Sequence, residues 1–375
     1  MTAMDIGRYD ISDVLGCLPN LAPLNQTAAE CDIFVATLGF EDRASTLALE
    51  FSNAGLLNNA TVILIEYPTN ASDNESNLIH FQQAARKAKR LEHFRYSRNE
   101  FMTLLQERLA EAFPRSGARV IFDISTCSSY VFYPTMKALM DLDCDLTLVY
   151  VEASEYYPSR EEWTKVAQTA QQESSLFIES FENAEFQSIG VGDVYVSPLF
   201  SEMNPGNRPT TFVGIPNFSA GRMNALVTRD QEINKTSGRN CYWLIGEPPG
   251  TANEWRSEAV RRTNANNLAA ADESRLKFVS TLEYKDMLKT LEDIWLETRH
   301  SYHMSIGTIG SKMQHVGTFF FLCLHKDVGL LLTEPKTFRT TRYSSGRGQA
   351  WQICFEHTNA LKRGLERYLT FRWQL

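Results

Sequence analysis

The sequence repeats itself, and that repeat constrains the fold more than any other feature. Phe122-Asp-Ile-Ser-Thr-Cys-Ser-Ser129 superposes on Met304-Ser-Ile-Gly-Thr-Ile-Gly-Ser311 at an offset of 182 residues, aligning Ile124 with Ile306, Thr126 with Thr308 and Ser129 with Ser311. The same offset carries Leu148-Val-Tyr-Val-Glu152 onto Leu330-Leu-Leu-Thr-Glu334 without a gap. Upstream, Phe34-Val-Ala-Thr-Leu-Gly-Phe40 followed by Arg43 faces Phe212-Val-Gly-Ile-Pro-Asn-Phe218 followed by Arg222. Leu64-Ile-Glu66 with Pro68 faces Leu244-Ile-Gly-Glu247 with Pro248. Apolar strands resemble one another, so one continuous α/β domain would produce some of these matches. Their shared order argues instead for a duplicated unit.

Each unit alternates short apolar runs with longer helical stretches. Strands are expected near 32–38, 61–66, 93–97, 119–124 and 146–152, and again near 211–215, 241–246, 277–281, 303–307 and 328–333. Runs apolar on both faces and separated by helices mark parallel strands covered on both sides. Phe101, Leu104, Leu105, Leu109 and Phe113 recur at helical spacing, as do Met287, Leu288, Leu291 and Trp295. The expected fold is therefore α/β: two Rossmann-like parallel-sheet halves from an internal duplication, forming a pseudo-dimer. The halves are placed at 1–155 and 209–375, the second with a C-terminal helix over 351–368, joined by a connecting segment over 156–208. That segment holds a polar helix near 161–172, a strand or hairpin within 186–199 and a turn cluster, Asn204-Pro-Gly-Asn-Arg-Pro209.

Composition narrows the function classes. Thirty-seven Lys and Arg against 45 Asp and Glu leave a formal net charge of −8, which argues against broad binding to nucleic acid and against duplex DNA as a partner. The longest apolar runs, such as 61–65 and 316–324, fall short of the roughly 18–20 residues that span a bilayer. Residues 1–10 lack the basic-then-apolar layout of a secretory signal. The 7 cysteines are widely spaced without a Cys-x-x-Cys, which predicts neither a zinc site nor a disulfide framework. A reduced, cytoplasmic protein without membrane contact is the expectation.

In an open parallel sheet, ligands sit beyond the carboxyl ends of the strands, where helix N-termini favour anions. Two segments of each half end there. Thr37-Leu-Gly-Phe-Glu-Asp-Arg43 and Ile215-Pro-Asn-Phe-Ser-Ala-Gly-Arg222 follow the first strands; Ser125-Thr-Cys-Ser-Ser129 and Gly307-Thr-Ile-Gly-Ser-Lys312 follow the fourth. The candidate ligand-binding residues are Thr37, Arg43, Ser125, Thr126, Ser128, Ser129, Asn217, Arg222, Thr308, Gly310, Ser311 and Lys312. Hydroxyls and glycines there offer donors and close backbone approach, and Arg43, Arg222 and Lys312 offer charge. Lys312 and Arg222 are expected at exposed positions on one crevice. The alternative reading is structural: a Ser/Thr/Gly turn before a helix is also an N-cap, and either arginine serves equally in a salt bridge.

The Gly307-Thr-Ile-Gly-Ser-Lys312 turn after the strand ending at Ile306 resembles the Gly-Gly-Thr-Lys-type turn of CARF domains, the CRISPR-associated Rossmann folds. The resemblance covers the turn and its strand–helix context, about a fifth of the chain. It implies an oligoadenylate-type ligand held across a two-fold interface, with Thr308, Gly310, Ser311, Lys312 and the loop around 217–222 facing it. The first half departs from that pattern, with Tyr130 in the lysine's place and Cys127-Ser128 in place of Ile-Gly.

Other residues carry weaker signals. Glu66, Glu247, Glu152 and Glu334 end strands, where an acid does acid–base work, caps a turn or bonds a ribose. Cys127 sits at a helix start, where a dipole lowers a thiol pKa, but no His or Asp partner is identifiable. No P-loop, dinucleotide fingerprint or zinc-protease motif is present. The expected function is a binding module that senses a nucleotide-derived anion, of which a cyclic oligonucleotide second messenger is the example the resemblance supplies. It would act in bacterial antiphage defence through a separate effector protein, without cofactor or metal. A metal-independent, ring-nuclease-like phosphodiesterase on the same ligand class is the competing expectation.

Overall fold

Ile33–Leu38 and Thr210–Ile215 are buried at every position, the environment that only a strand covered on both faces provides. The computed structural model describes residues 11–24, 30–113, 116–172, 187–200, 208–229, 240–268 and 272–372. The first half carries β1 (Ala22–Pro23), β2 (Ile33–Leu38), β3 (Thr61–Glu66), β4 (Arg90–Arg95), β5 (Ala118–Asp123) and β6 (Cys144–Val151). Its helices are α1 (Ile11–Cys17), α2 (Thr46–Asn53), α3 (Glu75–Ala84), α4 (Phe101–Ala112) and α5 (Ser129–Met140). The connection holds β7 (Glu155–Tyr156), α6 (Arg160–Gln172) and β8 (Ser188–Val196). The second half adds β9 (Thr210–Ile215), β10 (Cys241–Glu247), β11 (Leu276–Ser280), β12 (His303–Thr308) and β13 (Gly329–Phe338). Its helices are α7 (Ala220–Arg229), α8 (Trp255–Thr263), α9 (Ala265–Leu268), α10 (Tyr284–Thr298) and α11 (Lys312–Leu324). β14 (Ser344–Ser345), β15 (Ala350–Phe355) and α12 (Thr358–Arg372) close the chain.

The two sheets have the same topology. One runs β1-β15-β6-β5-β2-β3-β4 and the other β11-β10-β9-β12-β13-β8. Within each half the five parallel strands lie in the doubly wound order 3-2-1-4-5. The chain therefore contains two Rossmann-like halves, with the repeated turns 125–129 and 307–312 at the same topological position.

The boundaries differ from those expected. After β6 the chain crosses to the second sheet, where β8 pairs antiparallel with β13; after β13 it returns, and β15 pairs antiparallel with β6. Each half thus supplies the strand that closes the other. The segment 156–208 is not a bare connection, and 350–355 belongs to the first sheet rather than to a second half over 209–375. The helix expected over 351–368 starts only at Thr358, because six backbone pairings with β6 draw Ala350–Phe355 into a strand. Of the turn cluster 204–209, residues 204–207 lie outside the described residues.

A shared helical layer joins the halves. One core cluster takes in Ile33 and Ile63 from the first sheet, Val213 and Leu244 from the second, and the buried faces of α4, α5, α10 and α11 between them. Phe132 of α5 meets Phe319 of α11 edge-on, ring centroids 6.4 Å apart. Each such buried phenyl contributes roughly 1.5–3 kcal/mol. At the centre, Tyr133 and His315 are 182 residues apart and hydrogen-bond each other at 3.2 Å, so the repeat places mates face to face. Burial lowers the His315 pKa to about 3, with the Lys312 and Arg222 charges acting in the same direction, and the imidazole is neutral. Among the described residues no helix is long and apolar enough to cross a membrane.

Candidate functional site

The repeated arginines show how the halves diverge. Arg43 Nη1 donates to the carbonyl of Val151 at 2.6 Å, and Arg222 Nη2 donates to the carbonyl of Thr333 at 2.9 Å. Val151 and Thr333 are repeat mates, so both arginines tie the loop after the first strand to the last parallel strand of their half. Their charges fare differently. Arg43 is buried and paired with Glu41 through Nε and Nη2 at 3.1 and 2.8 Å. Glu41 also accepts from Ser344. In the second half Ser219-Ala220-Gly221 precede the arginine and carry no acid. Arg222 makes no ion pair among the described residues, and its buried Nε has no hydrogen-bond partner. Burial accordingly lowers its pKa, opposed by the hydroxyls of Tyr343 and Tyr130.

The fourth-strand turns diverge as well. In the second half, Ser311 caps α11 through a reciprocal capping box with Gln314, and its Oγ donates to the carbonyl of Thr281 at 2.7 Å. Gly310 is required because a Cβ there would lie 2.4 Å from the Gln314 side chain. Lys312 opens the helix, half-buried, with no hydrogen-bond or ion-pair partner among the described residues. Desolvation lowers its pKa, Glu41 opposes that shift, and Arg43 and Arg222 reinforce it. Among the described residues neither cation has a carboxylate of its own, and the Arg222 charge lies near enough to act on Lys312.

In the first half the same place is filled. The Tyr67 hydroxyl accepts from the Ser128 amide at 2.7 Å and donates to the Thr126 carbonyl at 3.1 Å. A phenol therefore occupies the amide-lined mouth that an anion would take. Tyr130, the repeat mate of Lys312, packs against Tyr67 and Tyr96 with centroids 5.8 and 5.0 Å away. Thr37 and Thr126 hydroxyls join at 2.9 Å and close the gap between the first and fourth strands. Ser125 Oγ accepts from the Val151 amide, and Ser125 N donates to Asp123.

A cavity of about 230 Å³ opens beside the second turn. Gly310, Ser311, Lys312 and Asn217 line it from the second half, while Arg43, Tyr150, Glu152 and Tyr156 line it from the first. Tyr343, on the basic loop after β13, lines it too and packs on Phe40 and Phe338 with centroids 5.5 and 5.6 Å away. Arg256, at the start of α8, completes the wall. Its guanidinium is held by the carbonyls of Tyr156, Tyr157 and Pro158 at 3.2, 3.2 and 2.9 Å and lies 4.8 Å from the Phe218 ring centroid.

Of the residues singled out in the sequence, Arg43, Asn217, Gly310, Ser311 and Lys312 line this cavity. Thr37, Ser125, Thr126, Ser128 and Ser129 lie instead around the filled first turn. Thr308 is fully buried, with its hydroxyl 3.3 Å from His315 Nδ1. Arg222 is half-buried against Thr333 rather than exposed. Cys127 is fully buried, and desolvation pushes its thiol up to about 12, the opposite of an activated nucleophile. Glu66 sits with His93 and Arg95, Glu334 with Arg98, and Glu152 accepts from Trp351 Nε1. Sequence reasoning missed Tyr67, Arg256 and Tyr156. Tyr67 immediately follows Glu66, but nothing in one sequence shows that its side chain turns toward residue 128.

No family model matches this sequence, and no curated protein matches it. Among solved structures, a putative universal stress protein from Pseudomonas aeruginosa UCBPP-PA14 is similar over 91% of this chain and 98% of its own, at 10% identity and a TM-score of 0.24. A functionally unknown protein from Pseudomonas aeruginosa PAO1 covers 91% and 97% at 9% identity, with a TM-score of 0.22. A UDP-N-acetylglucosamine 2-epimerase covers 76% and 75% at 11% identity, with a TM-score of 0.19. The fold assignment rests on the strand order of the two sheets.

Proposed function

We propose that this protein is a binding module whose cleft between the two Rossmann-like halves takes a nucleotide-derived anion. One observation carries the reading: among the described residues Lys312, which lines the cavity, and Arg222 behind it have no carboxylate partner, whereas the equivalent first-half arginine is neutralised by Glu41. Leaving cations desolvated and unpaired costs free energy, and a bound anion removes that cost. The capped start of α11 adds amide dipoles of the same sign. The sequence resemblance to CARF domains supports a signalling role in bacterial antiphage defence, in the cytoplasm, with output through a separate effector protein. The net charge of −8 supports a small ligand over duplex DNA.

A thermal-shift screen against nucleotides tests the reading. A ligand at 100 times its Kd stabilises the fold by roughly 2.7 kcal/mol, which raises the unfolding midpoint by several degrees. The shift should shrink in Lys312→Met and Arg222→Ala. Chromatography of the recovered ligand should return it intact; cleaved product would favour the phosphodiesterase reading. If no anionic nucleotide moves the midpoint, the proposal fails.

A further inference from the structure

Three features of the cleft bear on the size and shape of its ligand. The halves share one topology, so a two-fold symmetric ring would need two equivalent anion sites. Among the described residues only one is open, because the Tyr67 hydroxyl already bonds the Ser128 amide and the Thr126 carbonyl in the first half. Tyr130 stands where a second lysine would be, buried among aromatic rings.

The space is also small. Ligand pockets for drug-sized molecules run from about 300 to 1,000 Å³, and this cavity holds about 230 Å³. A ring of four nucleotides has several times the bulk of one nucleotide and would not be enclosed.

The lining, finally, is of two kinds. Lys312 supplies charge. Tyr156 and Tyr343 supply half-buried aromatic rings, and Arg256 supplies a planar guanidinium that three carbonyls hold in place. Aromatic rings and fixed guanidinium planes are the groups on which unstacked bases rest, and each stacked base contributes about 1–3 kcal/mol. Arg256 has no ion pair among the described residues, so its planar face is not committed to a carboxylate.

Building on the anion reading above, we infer that the ligand is a single mononucleotide, bound one per chain, with its phosphate on Lys312 and its base against Tyr156, Tyr343 and the Arg256 guanidinium. The first-half turn takes no part in binding. The duplication has left one working site and one scaffold that supports it.

Isothermal titration of the full chain tests this with AMP, GMP, CMP, UMP, ribose 5-phosphate, inorganic phosphate and cyclic tetra-adenylate. At least one nucleoside monophosphate should bind at one per chain, tenfold or more tighter than ribose 5-phosphate. Tyr343→Ala should lower nucleotide affinity far more than ribose 5-phosphate affinity, erasing most of that preference. Tyr343 also packs on the loop aromatics, so Arg256→Gln provides a second test of the same preference, with each variant's thermal midpoint as the folding control. Cyclic tetra-adenylate binding where no monophosphate binds would overturn the mononucleotide inference and leave the anion reading standing. Equal affinity for ribose 5-phosphate and every nucleotide would overturn the base contacts. Binding of none of these anions would overturn both readings.

Discussion

The turn over 125–129 and the turn over 307–312 occupy the same topological place, and they have come to do different work. In the first, hydroxyls and amides are consumed by Tyr67, Thr37 and Val151, and the neighbouring arginine by Glu41. In the second, the cap is satisfied internally, but among the described residues Lys312 and Arg222 have no ion-pair partner. The backbone scaffold tolerates either outcome. A few side chains decide which half is filled and which is open: Glu41 against Ala220 and Gly221, Tyr130 against Lys312, and Tyr67.

Breaking the neutralised half should have the largest effect. Glu41→Gln removes the only carboxylate that pairs, among the described residues, with the buried Arg43 guanidinium, which should cost about 3–5 kcal/mol of stability in denaturant titration. A cost below about 1 kcal/mol would mean that the two arginines are not differently compensated. Next comes Lys312→Met. It should weaken the binding of an anionic ligand tenfold to a hundredfold, a charge-assisted contact being worth about 1.5–3 kcal/mol. The same change should raise the unfolding midpoint of the ligand-free protein, because burial holds the folded-state lysine pKa below its unfolded value and the charged form is a cost. A midpoint that falls would show Lys312 to be a structural partner.

How much of this was legible in sequence follows from what a single chain displays. The alternation of buried runs and amphipathic helices reports directly on local burial, so all ten parallel strands and the start of α11 at Lys312 were readable. The repeat at 126 and 308 located both turns. The exchange of β8 and β15 between sheets was not readable, because a strand's partner is set by tertiary pairing and not by its own pattern. Nor was the filling of the first turn, which depends on a tyrosine 61 residues away in sequence. The acid in Thr37-Leu-Gly-Phe-Glu-Asp-Arg43 and its absence before Arg222 were visible all along. Only the geometry gave that difference an energetic meaning.

Two smaller effects sharpen the comparison. Tyr67→Phe deletes a hydroxyl that serves two backbone groups, one buried and one partly buried, and should cost about 1–3 kcal/mol. Ligand affinity should stay within about twofold of the unmodified protein, since the first turn does not bind. A tenfold loss would place the first turn in the site. The smallest effect is a pH dependence. His315 has a folded pKa of about 3, below the unfolded value near 6.5, so the unfolded chain binds more protons between those limits. Stability is therefore present above about pH 6.5 and is lost as pH falls toward 3. Between pH 7 and pH 6 the loss from this group is on the order of 0.7 kcal/mol. His315→Gln should flatten that slope, and an unchanged profile would assign it elsewhere.

Hydrogen–deuterium exchange with and without a nucleotide that shifts the melting point compares the two turns within one molecule. Peptides that cover Gly310–Leu324 should gain protection on binding, while peptides that cover residues 125–140 should exchange as they do in the free protein. Equal protection at both turns would show that the halves bind alike and would contradict the account.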